Sequence, residues 1–197
     1  MTHLRWAPTV ASLIALTAGG VSAVHYGKGP RPASTNAPGE VSCSAKKCHT
    51  KNELNSGGGA LTVSGLPRHY EPRKRYTLTV TLQQEGQKRW GFQMTTLDRH
   101  DQPAGELGLE EEKLTQMKSQ EMEDGSERQY VEHTGDGSFM GNMDGPVSWQ
   151  LGWTAPEEAA GPIYFYTAAN AANFNKKPWG DYIYTRIDTT EAAEASQ

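Results

Sequence analysis

The sequence predicts an all-β fold, an antiparallel β-sandwich preceded by an extended arm. Residues 76–82 alternate strictly, with Tyr76, Leu78, Val80 and Leu82 on one face and threonines on the other, as in a half-buried strand. Five further segments repeat this theme between Gly, Pro, Asn or Asp residues: 89–97, 128–134, 147–154, 163–168 and 182–187. The 21 glycines and 11 prolines imply many turns. No alternation of strands with helices is present, so a sandwich is favoured over a parallel sheet.

Segment order predicts a leader, an arm, one domain and a tail. Arg5, the apolar residues 7–18 and the small residues 21–23 predict a signal peptide, so we expect a periplasmic or extracellular protein. The apolar stretch is shorter than the roughly 20 residues of a membrane span, although retention as an anchor stays an alternative. We expect no membrane span after signal removal. The predicted divisions are residues 1–23 (signal peptide), 24–59 (arm), 60–189 (sandwich) and 190–197 (disordered tail).

Composition and motifs narrow the class of function. The formal net charge of −4 gives no basic footprint, so nucleic acid is not an expected partner. The sequence contains no nucleophile elbow, zinc-protease motif, phosphate loop or calcium loop. We therefore expect an electron carrier or a binding module rather than an enzyme.

Residues 109–124 do not fit the strand pattern. The segment is acidic, and its apolar residues Leu114 and Met117 are only loosely spaced for a helix. Two expectations stay open for it, a surface helix or an irregular insertion between strands.

The segment from Cys43 to His49 carries the most specific chemical signal. Two thiols close in sequence, with a histidine directly after the second, are what covalent attachment of a c-type haem requires. The spacer has four residues where the usual signature has two, and so resembles a variant found in some multihaem cytochromes. This interpretation assigns Cys43 and Cys48 to one haem c and His49 to its iron as the proximal ligand.

Other interpretations of the same residues stay open. The two cysteines could form a small disulfide, contribute with His49 to a metal site, or stay as thiols. If haem is present, His69, beside the start of the sandwich, and His133, at a strand end, are the candidates for the distal ligand. A structural role is also expected for His133. Met94 is expected to fill the core. A vacant axial position would instead permit peroxide chemistry.

The chain from about residue 36 to residue 187 resembles the reeler domain, in the bacterial form called choice-of-anchor V. The landmarks that carry the resemblance follow the family's order: residues 37–40, 70–76, 90–94, 104–105, 130–134, 153–156, 161–166 and 180–184. Arg73 stands where the family usually has glycine. The resemblance implies an immunoglobulin-like sandwich that is exported and often associated with the cell surface. It implies no particular enzymatic activity.

Together these observations predict an exported monohaem c-type cytochrome domain for electron transfer or redox sensing. A redox partner protein is the expected partner, and the haem would supply the redox chemistry. The alternative is a non-catalytic extracellular reeler-type module for binding or adhesion, in which Cys43 and Cys48 form a disulfide.

Overall fold

The computed structural model describes residues 28–44, 49, 51–177 and 179–193. Ten strands lie within these ranges: β1 (Ala60–Ser64), β2 (His69–Tyr70), β3 (Arg75–Gln83), β4 (Arg89–Asp98), β5 (Glu106–Leu109), β6 (Thr115–Glu121), β7 (Glu127–His133), β8 (Val147–Thr154), β9 (Ile163–Ala172) and β10 (Tyr182–Ala192). A single 3₁₀ turn at Asp136–Ser138 follows β7 in this part of the chain.

The strands form two sheets that pack face to face. Sheet A has the order β1-β3-β8-β5, and sheet B has the order β2-β10-β9-β4-β7-β6. Neighbouring strands run antiparallel, except that β2 pairs with β10 in parallel. The prediction of an all-β antiparallel sandwich is confirmed. Each segment predicted from its alternation corresponds to a strand, namely β3, β4, β7, β8, β9 and β10.

Aromatic side chains fill the space between the sheets. Trp149 of β8 contacts Phe92 of β4, with ring centroids 4.7 Å apart, and Trp153 of β8 contacts Phe165 of β9 at 4.9 Å. Both contacts join sheet A to sheet B, and each such ring buries about 200 Å² of surface. Met94 is fully buried in the same cluster, as the sequence predicted. On the inward face predicted for β3, Leu78, Val80 and Leu82 are also buried, and Tyr76 is partly buried.

Residues 109–124 have neither of the structures expected from the sequence. β5 ends at Leu109, and Thr115–Glu121 forms β6, which pairs antiparallel with β7. β6 is an edge strand of sheet B, and its last four residues are exposed. An edge strand rich in polar residues gives no period-two apolar signal, so pairing with β7 decides its structure.

β10 continues beyond the domain boundary expected at residue 189. It reaches Ala192, and its last two residues pair with β2. Residues 190–192, which the sequence analysis assigned to the tail, therefore belong to the sandwich. The predicted signal peptide, residues 1–23, and residues 194–197 lie outside the described residues. No helix within the described ranges is long and apolar enough to cross a membrane.

Residues 28–44, the first described part of the arm, lie across the outer face of sheet B. Phe92 of β4 points into the core, so the next residue, Gln93, projects from the opposite face. The Gln93 side chain accepts a hydrogen bond from Ser34 N at 2.9 Å and donates one to Arg31 O at 2.9 Å. The arm is therefore held to the sheet by polar contacts, without a strand of its own.

Glu40 fixes the arm to β7. Its side chain is 0% exposed, beside that of Arg128 at 5%. Glu40 Oε1 accepts hydrogen bonds from Arg128 Nη1 at 3.1 Å and from the Tyr130 hydroxyl at 2.8 Å. Glu40 Oε2 accepts from the hydroxyl and the amide of Thr35, at 2.6 and 3.1 Å. Burial and the Glu40 carboxylate raise the pKa of Tyr130, so its hydroxyl stays a donor. A buried ion pair requires such satisfied oxygens.

A second buried carboxylate, that of Glu132, lies under the start of the arm. Its oxygens accept hydrogen bonds from Gln93 Nε2 at 2.8 Å and from Gln116 Nε2 at 3.1 Å. Gly29 of the arm lies so close that a Cβ there would stand 2.3 Å from Glu132 Oε1. Burial raises the pKa of Glu132 to about 7, although the two amides favour the charged form.

Candidate binding surface around His49

His49 lies against Asp181, the residue before β10. His49 Nδ1 and Asp181 Oδ2 are 2.6 Å apart, and the two side chains are 30% and 5% exposed. Asp181 Oδ1 accepts a hydrogen bond from Asn173 N at 3.1 Å, and Asn52 Nδ2 donates to Asp181 O at 2.9 Å. Asp181 thus joins the segment that follows the cysteines to the loop between β9 and β10.

The second ring nitrogen of His49 faces Asn170 of β9, at 3.2 Å between His49 Nε2 and Asn170 Nδ2. Because Nδ1 lies against a carboxylate, it carries a proton, and Nε2 accepts from the amide. Ala169 and Ala171 face the core, so Asn170 projects from the outer face of sheet B. Asn170 Oδ1 is buried and has no hydrogen-bond partner among the described residues.

Cys43, at the other end of the segment, contacts an earlier residue of the arm. Cys43 Sγ lies 3.5 Å from Ser34 O, and His49 N donates to Cys43 O at 3.3 Å. This backbone hydrogen bond holds the two ends of the segment together. Cys48 lies outside the described residues. A disulfide between Cys43 and Cys48 and covalent haem attachment both stay predictions.

Both ring nitrogens of His49 have partners in the described conformation. A bond between a metal and an imidazole nitrogen is about 2 Å long. Asn170 Nδ2 lies 3.2 Å from Nε2, and Asp181 occupies the side of Nδ1. Ligation of haem iron would require His49 to leave Asn170. Within the described ranges, no three His, Cys, Asp or Glu side chains are grouped so as to hold a metal ion.

His69 lies at the opposite end of β10 from His49. It belongs to β2 and pairs with Glu191, near the end of β10, whereas Asp181 precedes its first residue. The extended chain between residues 181 and 191 spans on the order of 30 Å. The structure does not bring His69, one of the candidates for a distal ligand, to His49.

His133 is closer to His49, but it is buried and already bonded. Its ring fills the space beside Gly91, where a Cβ would lie 2.4 Å from His133 Cε1. Gly91 pairs with Asn170, the residue that contacts His49. His133 Nδ1 accepts a hydrogen bond from Phe92 N at 3.2 Å, and burial lowers the pKa of His133 to about 4. The ring is therefore neutral and has the contacts of a structural residue.

The loop of residues 173–181, called the aromatic loop below, exposes a tryptophan between cations. The side chain of Trp179 lies at the surface, 41% exposed. Lys51 Nζ and Lys177 Nζ lie 5.1 and 5.2 Å from the centroid of its ring. Both distances are within the range of cation–π attraction. Lys51 follows His49 by two positions, so the segment held by Asp181 also carries one of these cations.

Hydrogen bonds within the aromatic loop preset its shape. Asn175 Nδ2 donates to Trp179 O at 2.9 Å, and Asn175 Oδ1 accepts from Lys177 N at 2.8 Å. Phe174 has a φ of 58°, which is uncommon for a bulky residue and requires support from its surroundings. Its ring lies 5.1 Å from Arg89 Cζ and is partly exposed.

A second loop, residues 139–145, lies near the aromatic loop, because Lys88 bonds both to it and to the end of β9. Gly141 N donates to Lys88 O at 2.8 Å, and Lys88 N donates to the carbonyl of the last residue of β9 at 3.0 Å. Met140 and Met143 of this loop are largely exposed. We call the two loops, with Lys51, Lys88 and Arg89, the loop pole.

The residues that hold His49 were not predicted from the sequence. Asp181 and Asn170 lie 132 and 121 positions from it along the chain, so only the folded sheet brings them together. No function was predicted from residues 175–180, Asn-Lys-Lys-Pro-Trp-Gly. Their mixture of cations with an aromatic residue was the signal available for a binding surface.

Comparison with known proteins finds related folds among solved structures. No protein-family model and no curated protein matches the chain. It is 18% identical to the human F-spondin reeler domain (TM-score 0.45), over 72% of this chain and 94% of that one. It is 19% identical to a Reelin-N domain of F-spondin (TM-score 0.43), over 72% of this chain and 92% of that one. It is 11% identical to a cohesin module from Clostridium perfringens (TM-score 0.42), over 70% of this chain and 97% of that one. These likenesses assign neither a family nor an activity; the chain is an all-β sandwich with reeler domains among its structural neighbours.

Proposed function

We propose that the chain is an extracellular binding module that uses the loop pole as its contact surface. The observation that supports this proposal is the exposed ring of Trp179 flanked by Lys51 and Lys177. Tryptophan supplies a large contact area with one polar group, and it is enriched among the residues that dominate binding energy. The hydrogen bonds of the aromatic loop preorganise this surface, so less conformational entropy is lost on binding.

In this proposal the segment from Cys43 to His49 positions the loop pole. His49 is bonded to Asp181, which also receives the amide of Asn173 in the aromatic loop. A Cys43–Cys48 disulfide would close the segment covalently. Because so short a loop removes little chain entropy, we expect it to affect local shape more than global stability.

The test is co-sedimentation of the full chain with isolated bacterial cell envelopes. We expect wild type to bind and Trp179→Ala to bind about tenfold more weakly, because central tryptophans carry a large share of interface energy. The matched control is Ile187→Ala, which removes an exposed apolar side chain outside the loop pole. Equal binding by all three proteins, or no binding by wild type, would refute the proposal.

A haem-bearing electron carrier is the second candidate, and one observation favours it. Asp181 is hydrogen-bonded to His49 Nδ1. Carboxylates commonly orient metal-binding histidines in this way, through the ring nitrogen that does not ligate the metal. The exported protein would show a Soret band that survives acid-acetone extraction and shifts with dithionite. The band would be lost in Cys43→Ala and Cys48→Ala. A colourless wild-type protein rules this candidate out.

A further inference from the structure

We infer that the partner of the loop pole is a membrane surface that carries anionic headgroups, an inference that rests on the proposed function. Exposed apolar side chains are concentrated at this pole. Of the six large hydrophobic side chains exposed among the described residues, four lie in its two loops: Met140, Met143, Phe174 and Trp179. Scattered single residues of this kind are ordinary, whereas a cluster at one end marks an interaction surface.

The form of the cluster fits a lipid interface better than a groove on a protein. Its side chains extend from two loops near Lys88 and are exposed. Tryptophan combines an apolar ring with a polar N–H group and prefers the boundary between headgroups and acyl chains. A backbone group that loses water at this boundary costs less free energy if it already has an internal hydrogen bond. The Asn175 side chain provides one for the carbonyl of Trp179.

The cations of the loop pole are placed to meet headgroup phosphates. Lys51 and Lys177 lie over Trp179, and Arg89 lies over Phe174, so charge and apolar surface share one place. Each cation close to an anionic bilayer strengthens partitioning about fivefold. The whole chain has a net charge of −4, so an anionic membrane repels the protein in other orientations. The protein is therefore expected to approach the membrane with the loop pole first.

The two acidic side chains of the same loops differ in exposure, since Asp144 is exposed and Asp181 is buried. Asp144 Oδ1 accepts a hydrogen bond from Gly86 N at 2.7 Å. Asp181 is 5% exposed and bonded to His49 and to the amide of Asn173. The carboxylate of Asp181 is therefore shielded from an anionic surface, whereas that of Asp144 opposes it and is outnumbered by the cations of the loop pole.

The experiment measures co-sedimentation of the full chain with phosphatidylcholine vesicles that contain or lack phosphatidylglycerol. We expect binding only to the anionic vesicles, weakened by salt. The double variant Lys51→Gln/Lys177→Gln is expected to bind about 25-fold more weakly, fivefold for each cation. Trp179→Ala should also lose binding, and its ring in wild type should report contact with brominated lipid.

The matched controls are Lys74→Gln and Ile187→Ala, which remove an exposed cation and an exposed apolar group outside the loop pole. Binding that is equal in all variants would overturn the inference, because the contact would then lie elsewhere, for example in residues 7–18. If envelopes bind through Trp179 but anionic vesicles do not, the lipid is the wrong partner and the binding module stands. If neither binds, both proposals fail.

Discussion

Replacing Glu40 with glutamine tests whether a buried ion pair docks the arm. Arg128 is 5% exposed, and its Nε has no partner among the described residues. Its other hydrogen bonds run to the carbonyls of Pro38 and Asp101, so Glu40 supplies the charge that compensates it. A glutamine has one acceptor oxygen, and whichever way its amide turns, the NH₂ group faces donors. Leaving a buried charge without its partner costs about 3–5 kcal/mol, so we expect a loss of about 4 kcal/mol in the free energy of unfolding.

The assay is urea denaturation of the full chain followed by circular dichroism. The matched control is Glu110→Gln, whose partner Arg75 lies 2.9 Å away, with side chains 29% and 49% exposed. Such an exposed pair contributes about 0–1 kcal/mol. Adding Arg128→Met to Glu40→Gln should recover stability, since no charge stays buried. A loss in Glu40→Gln no larger than in the control would refute the docking role of the pair.

Three further predictions concern buried titratable groups. Burial raises the pKa of Glu132 from 4.5 to about 7, so the folded state favours the protonated acid and loses stability as pH rises through this range. Between pH 4 and pH 8, wild type should therefore lose about 3 kcal/mol in the free energy of unfolding relative to Glu132→Gln, measured by urea denaturation. Burial lowers the pKa of His133 from 6.5 to about 4, which removes stability as pH falls. In Glu132→Gln, the free energy of unfolding should therefore fall by about 3 kcal/mol as pH is lowered from 6.5 to 4. This variant lacks the Glu132 carboxyl, whose protonation opposes the loss in wild type. A free energy of unfolding that does not change with pH in the variant would contradict the prediction. Asp181→Asn should free His49 and raise cleavage of residues 51–59 in limited proteolysis, whereas Asp188→Asn should not.

Local sequence predicted those elements whose structure depends on burial of one face. In β3, Leu78 and Val80 point to the core because the strand alternates, and no distant residue was needed to see this. β6 was not predicted by this criterion, because it is a polar edge strand that is held by pairing with β7 rather than by burial of an apolar face. The docking of the arm was also hidden, because polar side chains such as Glu40 carry no periodic signal.

The candidate site also has one part that local sequence predicted and another that it did not. Cys43, Cys48 and His49 are close together in sequence, so their chemistry could be predicted from spacing, and haem attachment through them stays a prediction. The partners of His49 could not be predicted, because Asp181 and Asn170 come from the far end of the chain. The same holds for Lys51 over Trp179.

By itself, the sequence determined the all-β class, most strands and the presence of an unusual Cys-His segment. These features depend on residue type and on the period of a pleated strand, both of which are local. Only the tertiary structure decided that the arm lies on sheet B and that His49 is bonded to Asp181 and Asn170. It also decided that aromatic and cationic side chains share one pole. Each of these contacts joins residues far apart in sequence, and their pairing is set by strand order and register, which no local pattern specifies.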